Sequence, residues 1–185
     1  MKNILGIIGS PRKNGNTHVL VSRILDGARE NGANTETIFL RDLNLSECDG
    51  CYACWKGKHL CSKNDDMSDL YPKIMESDVL VFGTPVYWFG PTAIMKCFID
   101  RFVFFNCPVN RKKIKGKAAV IAVPFEDRSY ATSDLVVKFF DKSCDYLEMR
   151  FIDKILVPGV TKRGEVRNLK RVMDKCYKLG QRLAV

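Results

Sequence analysis

The chain has 185 residues, 46% hydrophobic and 28% charged, which suits one folded domain, residues 1–185, with a sizeable core. Its opening, MKNILGIIGSPRK, holds an apolar run that stops at Gly9, too short for a signal-peptide core or a bilayer span, and no later stretch reaches membrane length. A cytoplasmic, non-membrane protein with reduced thiols is therefore expected, which excludes a disulfide framework.

The formal charge is +9. Arg111, Lys112, Lys113, Lys115 and Lys117 form one basic run. A second series from Lys162 to Arg182 lies on a C-terminal helical pattern and reads as a solvated face. Such a balance attracts acidic partners or anionic cofactors. No nucleic-acid motif is present, so no nucleic-acid partner is expected.

Strand-like and helical patterns alternate along the chain. Asn3 to Gly9 reads as a buried strand, followed by a helix marked by Leu20, Ile24 and Ala28 and closed at Gly32. Thr35 to Leu40 is a less apolar strand, suited to a sheet edge. A cysteine-rich segment, 46–64, comes next. The helix in DDMSDLYPKIMES must take Pro72 in its first turn or kink there. Asp78 to Pro85 is a third strand, and Ile94, Phe98, Ile99 and Phe102 mark a helix. Lys117 to Pro124 is a fourth strand, with a helix around Leu135, Val136, Phe139 and Phe140. Arg150 to Gly159 holds a fifth strand. The last helix carries Leu169, Val172, Met173, Cys176, Leu179 and Leu183 on one face.

This alternation implies an α/β protein with a parallel sheet covered on both sides. Five such units suit the flavodoxin-like, doubly wound strand order 2-1-3-4-5, with a cysteine-rich insertion after strand 2.

In such folds ligands bind at the carboxyl ends of the strands beside strand 1. There the chain reads GSPRKNGNT and runs into a helix. Ser10, Asn14, Gly15, Asn16 and Thr17 let backbone N–H groups converge. The helix N-terminus and Arg12 add positive charge, which together suit a monophosphate. Neither a Walker loop nor a G-x-G-x-x-G fingerprint is present. The competing reading is a plain polar turn with Asn16 or Thr17 as N-cap. After strand 3, Thr84, Pro85, Val86, Tyr87 and Trp88 offer backbone groups and rings to a planar ligand, and Phe89 suits a core or interface equally well.

GSPRKNGNT, the compact cysteine motif, DDM, GTPVYW and MKCFIDR, in this order over the first hundred residues, resemble the iron–sulfur flavoproteins within the NAD(P)H-dependent FMN reductase group. The resemblance implies that Ser10 through Thr17 hold the FMN phosphate and that Pro85 through Trp88 line its isoalloxazine and ribityl chain. A third loop in the family often carries glycines near the flavin. Here it reads PFEDRSY, without one, so no site residue is assigned to it.

Cys48, Cys51, Cys54 and Cys61 stand in the spacing C-x2-C-x2-C-x6-C. Structural zinc usually takes two separated C-x-x-C pairs. Three thiols at successive intervals of three suit a [4Fe–4S] cluster. A free-thiol loop is the alternative. His59 reads as a surface residue, and Cys97, Cys144 and Cys176 as small core hydrophobes. Cys107, in the loop before Pro108, has no reading.

The cysteine loop and the phosphate loop are both expected toward the carboxyl side of the sheet. The resemblance implies electron flow from a one-electron donor, such as an acidic ferredoxin-like protein, through the cluster to FMN and on to a small-molecule acceptor. It also implies a homo-oligomer, dimer or tetramer, in which one subunit's cluster approaches another's flavin. No catalytic acid or base is expected. Two rival readings are a cluster-free FMN-dependent NAD(P)H reductase of quinones or other aromatic acceptors, and a flavodoxin-like binding module with structural zinc.

Overall fold

The alternation of apolar residues along the strands sets the layers of the computed structural model, which describes residues 1–185 apart from Gly57 and His59. The surface reading of His59 therefore lies outside the described residues. The strands are β1 (Asn3–Ile8), β2 (Asn34–Phe39), β3 (Val79–Gly83), β4 (Ala118–Pro124) and β5 (Arg150–Val157). The helices are α1 (Asn16–Arg29), α2 (Met67–Glu76), α3 (Ala93–Asp100), α4 (Val103–Asn106), α5 (Pro108–Arg111), α6 (Asp134–Tyr146) and α7 (Lys170–Leu183). All strand pairs are parallel, in the order β2-β1-β3-β4-β5. This is the flavodoxin-like order expected, with β2 at an edge.

Leu5, Ile7, Leu80, Phe82, Ala119 and Ile121 pack on one face against Leu70 and Ile74 of α2, Phe98 of α3 and Phe140 of α6. Their sequence neighbours Ile4, Ile8, Val79, Val81, Ala118 and Val120 pack on the other against Leu20 and Ile24 of α1 and Leu179 and Leu183 of α7. Every second side chain changes face, so the central strands need apolar residues at nearly every position.

Two details differ from expectation. Pro72 occupies the sixth position of α2, and the helix continues through it at the loss of one main-chain hydrogen bond. Phe102 lies beyond the end of α3 but still in the core, against Phe98 and Phe105. Part of the first basic run is structural: Arg111 and Lys115 pair with Glu148, and Lys117 Nζ donates to the Met75 carbonyl at 2.7 Å.

The α1–α7 crossing depends on two glycines. A Cβ on Gly180 would lie 1.9 Å from the Ile24 carbonyl oxygen, and one on Gly27 2.1 Å from that of Tyr177. Alanine at 180 should gain about 1 kcal/mol of helix propensity. It should lose more, because two backbones must part, and overpacking costs ~1–3 kcal/mol. Gly180→Ala is expected to lower the urea midpoint, and an unchanged midpoint would show that the crossing tolerates a methyl group.

Candidate functional site

At the carboxyl ends of four strands lies a cleft of about 160 Å³. Ser10, Arg12, Gly15, Asn16 and Thr17 form its first wall, and Pro85, Val86 and Tyr87 its second. Pro124, Phe125 and Glu126 form a third, closed by Val160 and Thr161. The first wall is anchored from below. Gly9 N–H donates to the Gly83 carbonyl at 2.8 Å, and Thr92 Oγ1 donates to the Gly9 carbonyl at 2.5 Å. A Cβ on Gly9 would strike Met95 Cβ at 2.7 Å, so this contact needs a glycine.

Above that anchor the chain turns sharply. Ser10 is buried and its Oγ accepts from Arg12 N–H at 3.2 Å, while Gly15 N–H donates to the Arg12 carbonyl at 3.1 Å. Asn14 adopts a left-handed φ of +58° and donates its N–H to His18 Nδ1 at 3.1 Å. That bond requires a lone pair on Nδ1. Burial, and secondarily the charge of Arg167, lowers the His18 pKa from its ordinary value and so favours the neutral ring. The first N–H groups of α1, on Asn16, Thr17 and His18, have no intrahelical acceptor, and the helix dipole puts partial positive charge there. With Arg12 they make a wall suited to a dianionic phosphate.

Several expected ligands take other roles. Among the described residues lining the cleft, Asn14 is absent: it supplies the left-handed turn. Asn16 lines the cleft, but its amide is committed, donating to the Lys162 carbonyl at 3.0 Å and accepting from Val166 N–H at 3.3 Å. It therefore offers its backbone to a ligand and its side chain to the segment after β5. Thr84 is wholly buried and outside the lining. Its Oγ1 donates to the Pro85 carbonyl at 3.0 Å and accepts from Thr92 N–H at 3.1 Å, so it shapes the second wall from behind.

Trp88 is 96% exposed and also outside the lining. Tyr87 and Gly90 exchange both main-chain hydrogen bonds at 2.9 Å, so Trp88 and Phe89 become the two central residues of a tight turn, at φ +46° and +61°. That backbone throws both rings into solvent. It is a strained choice for bulky residues, where Asn-Gly is usual. The third wall had no glycine signal. Only the rule that ligands sit at strand carboxyl ends points to Pro124, Phe125 and Glu126.

The four motif cysteines line a second, smaller pocket with Asp49, Lys63, Tyr71, Arg101 and Phe104. Left-handed conformations at Gly50 (φ +70°) and Tyr52 (φ +54°) wrap the loop so that thiols at 48, 51, 54 and 61 face one space. Cys54 is buried, Cys51 exposed, and Cys48 and Cys61 intermediate. Burial, then the neighbouring Cys61, pushes the Cys54 thiol up to about 11, so a bound metal must displace its proton.

The donor set is soft and suits iron–sulfur ligation. Among the described residues, no three His, Cys, Asp or Glu side chains are disposed to hold a single metal ion. Thiolates on the corners of a four-iron group stand further apart than those around one zinc. The pocket has a volume of about 20 Å³ and is bordered by the exposed Gly50–Tyr52 limb.

This pocket lies against α2 and the segment after α3, and it shares no lining residue with the cleft. Cys107 is buried at the start of α5. Cys144 and Cys176 are core residues, each pushed up to about 12 chiefly by burial, and Cys97 is half-buried.

A five-stranded parallel sheet in this order, with an anion-suited cleft at its carboxyl edge, defines a flavodoxin-like protein. The chain belongs to the NADPH-dependent FMN reductase family, whose model matches residues 2–138. It is 41% identical over 118 residues to an iron–sulfur flavoprotein of Methanocaldococcus jannaschii, covering 63% of this chain and 61% of that one. It is 35% identical over 113 residues to an iron–sulfur flavoprotein of Archaeoglobus fulgidus, covering 61% and 50% respectively. The chain thus spans between 50% and 61% of the length of these relatives. The resemblance read from the sequence is borne out. The structure of a Trp repressor binding protein from Bacillus subtilis superposes with a TM-score of 0.73 at 23% identity, over 95% of this chain and 98% of that one, a likeness of fold. Among the described residues no helix is long and apolar enough to cross a membrane.

Proposed function

We propose that the protein is an FMN-dependent oxidoreductase of the iron–sulfur flavoprotein type, with one FMN in the cleft and one [4Fe–4S] cluster on Cys48, Cys51, Cys54 and Cys61. The observation that carries the flavin reading is the meeting of an anion-suited helix N-terminus with an apolar wall in one cleft. When bound, the cluster passes single electrons and the flavin one or two, which couples a one-electron donor to a small-molecule acceptor.

The chain's own residues bind and orient. Ser10, Arg12 and the N–H groups of Asn16 and Thr17 would hold the phosphate. Pro85, Val86 and Tyr87 on one wall and Pro124, Phe125 and Glu126 on another would hold the ring system. Arg101, whose Nη2 donates to Cys61 Sγ, would offset part of the negative charge of the thiolates. An acidic ferredoxin-like donor fits the net charge of +9, and NAD(P)H is the donor that the FMN reductase family suggests. The thiol pocket and the cleft share no wall, which favours a homo-oligomer in which a cluster meets a neighbouring subunit's flavin.

Anaerobic purification with flavin, iron, sulfide and zinc assays tests this. The expected result is one FMN and four iron atoms with matching sulfide per chain. FMN without iron would support the cluster-free reductase, and zinc without FMN the binding module.

A further inference from the structure

One buried cation connects the two ends of the cysteine loop. Arg101 is 1% exposed. Its Nη1 donates to the Ser46 carbonyl at 2.8 Å and to Asp65 Oδ2 at 2.5 Å, and its Nη2 to Asp65 Oδ1 at 3.1 Å and to Cys61 Sγ at 3.2 Å. Asp65 in turn accepts from the N–H groups of Ser46 at 2.9 Å and Met67 at 3.2 Å. Residues 46 and 65 bracket all four motif cysteines, so a single guanidinium clasps the loop at its base and touches one thiol directly.

A buried ion pair is weak evidence for stability, since desolvation offsets much of its attraction. What arginine supplies here is geometry: a planar fork of five donors that reaches a carbonyl, both carboxylate oxygens and a sulfur at once, which lysine cannot do. The other cation at the pocket, Lys63, is already paired with Asp49 at 2.9 Å.

The clasp also ties the loop to the rest of the molecule. Arg101 follows α3 directly, and Thr92 caps the other end of α3 while bonding the Gly9 carbonyl under the phosphate wall. The eight-residue α3 is a strut of about 12 Å, with one site fixed at each end.

We propose that Arg101 is the positioning residue of the thiol pocket: it locks the cysteine loop at its base and, by donating to Cys61 Sγ, raises the reduction potential of the iron–sulfur group held there. This rests on the cluster reading. A cation and an N–H donor beside a thiolate ligand favour the more negative, reduced form of the group.

The test uses full-length protein reconstituted anaerobically with iron and sulfide. It compares the parent with Arg101→Gln and Asp65→Asn by iron content, FMN content and a redox titration followed by the cluster's EPR signal. Arg101→Gln removes the cation and should shift the potential downward. Asp65→Asn leaves the cation uncompensated and should shift it upward. A residue of merely structural importance would not move the two in opposite directions. Where Arg101→Gln alone fails to fold, the Arg101→Gln, Asp65→Asn double variant keeps a neutral hydrogen-bonded pair in the same space, and its potential should still lie below the parent's.

In iron-free protein, amide hydrogen exchange of residues 46–65 should accelerate on the order of tenfold in Arg101→Gln or the double variant. An iron-loaded parent with both single-variant potentials unmoved, or moved in the same direction, overturns the tuning role alone. Unchanged exchange overturns the clasp. A reconstituted parent without iron overturns the cluster reading and the tuning role together.

Discussion

Cys51→Ala protein, purified and reconstituted without oxygen, should contain FMN at the parental ratio but iron and sulfide near background. Cys51 is the informative position because it is exposed, with its sulfur 3.2 Å from Ser62 Oγ, so its loss leaves the core intact. Cys54 is buried against the core, and its replacement would confound ligand loss with a cavity. Water replaces a soft anionic ligand poorly. The flavin walls share no residue with the thiol pocket, so FMN should stay. Flavin reduction by reduced ferredoxin, followed by stopped flow, should then collapse, while any direct reduction by NADPH should continue. Parental iron content in Cys51→Ala would remove this thiol from the ligand set. Full iron loss with an unchanged ferredoxin rate would make the cluster structural.

The second large effect belongs to the phosphate wall. Ser10→Ala with Arg12→Ala should weaken FMN binding by about 3–6 kcal/mol, at ~1.5–3 kcal/mol for each hydrogen bond to a charged phosphate. That is roughly a hundredfold to ten-thousandfold rise in Kd, measurable by flavin fluorescence titration. Riboflavin, which lacks the phosphate, should bind parent and variant alike. Equal losses for both flavins would mean that the variant has deformed the cleft. Unchanged FMN affinity would move the phosphate elsewhere. Asn16→Ala is the wrong probe for this question, because its amide bonds Lys162 and Val166 and its loss would loosen the segment after β5.

The one-dimensional pattern determined those features whose causes are local. Apolar runs of strand length separated by helical periods forced a parallel sheet covered on both faces, because only burial on both sides tolerates Val79, Leu80, Val81 and Phe82 in succession. The polarity of Asn34–Phe39 placed that strand at an edge. The positions of GSPRKNGNT and GTPVY followed from the rule that ligands gather at strand carboxyl ends, and four thiols within fourteen residues need no distant partner to be recognised as a set.

What the tertiary structure alone decided was where side chains point and what they meet far away in the chain. Trp88 and Thr84 read as ring and backbone contacts in the sequence. A two-residue turn sends the first into solvent, and the packing of Thr92 takes the second inward. Phe125 and Glu126 reach the cleft because β4 ends beside β3, a matter of strand order. Arg101 meets Ser46, Cys61 and Asp65 across 55, 40 and 36 residues, contacts that no local pattern encodes. Periodicity reports which face of an element is buried, whereas the partner of a buried polar group depends on how α2, α3 and the loop between β2 and α2 pack together. That packing put Thr92, under the phosphate wall, at one end of α3 and Arg101, at the thiol pocket, at the other.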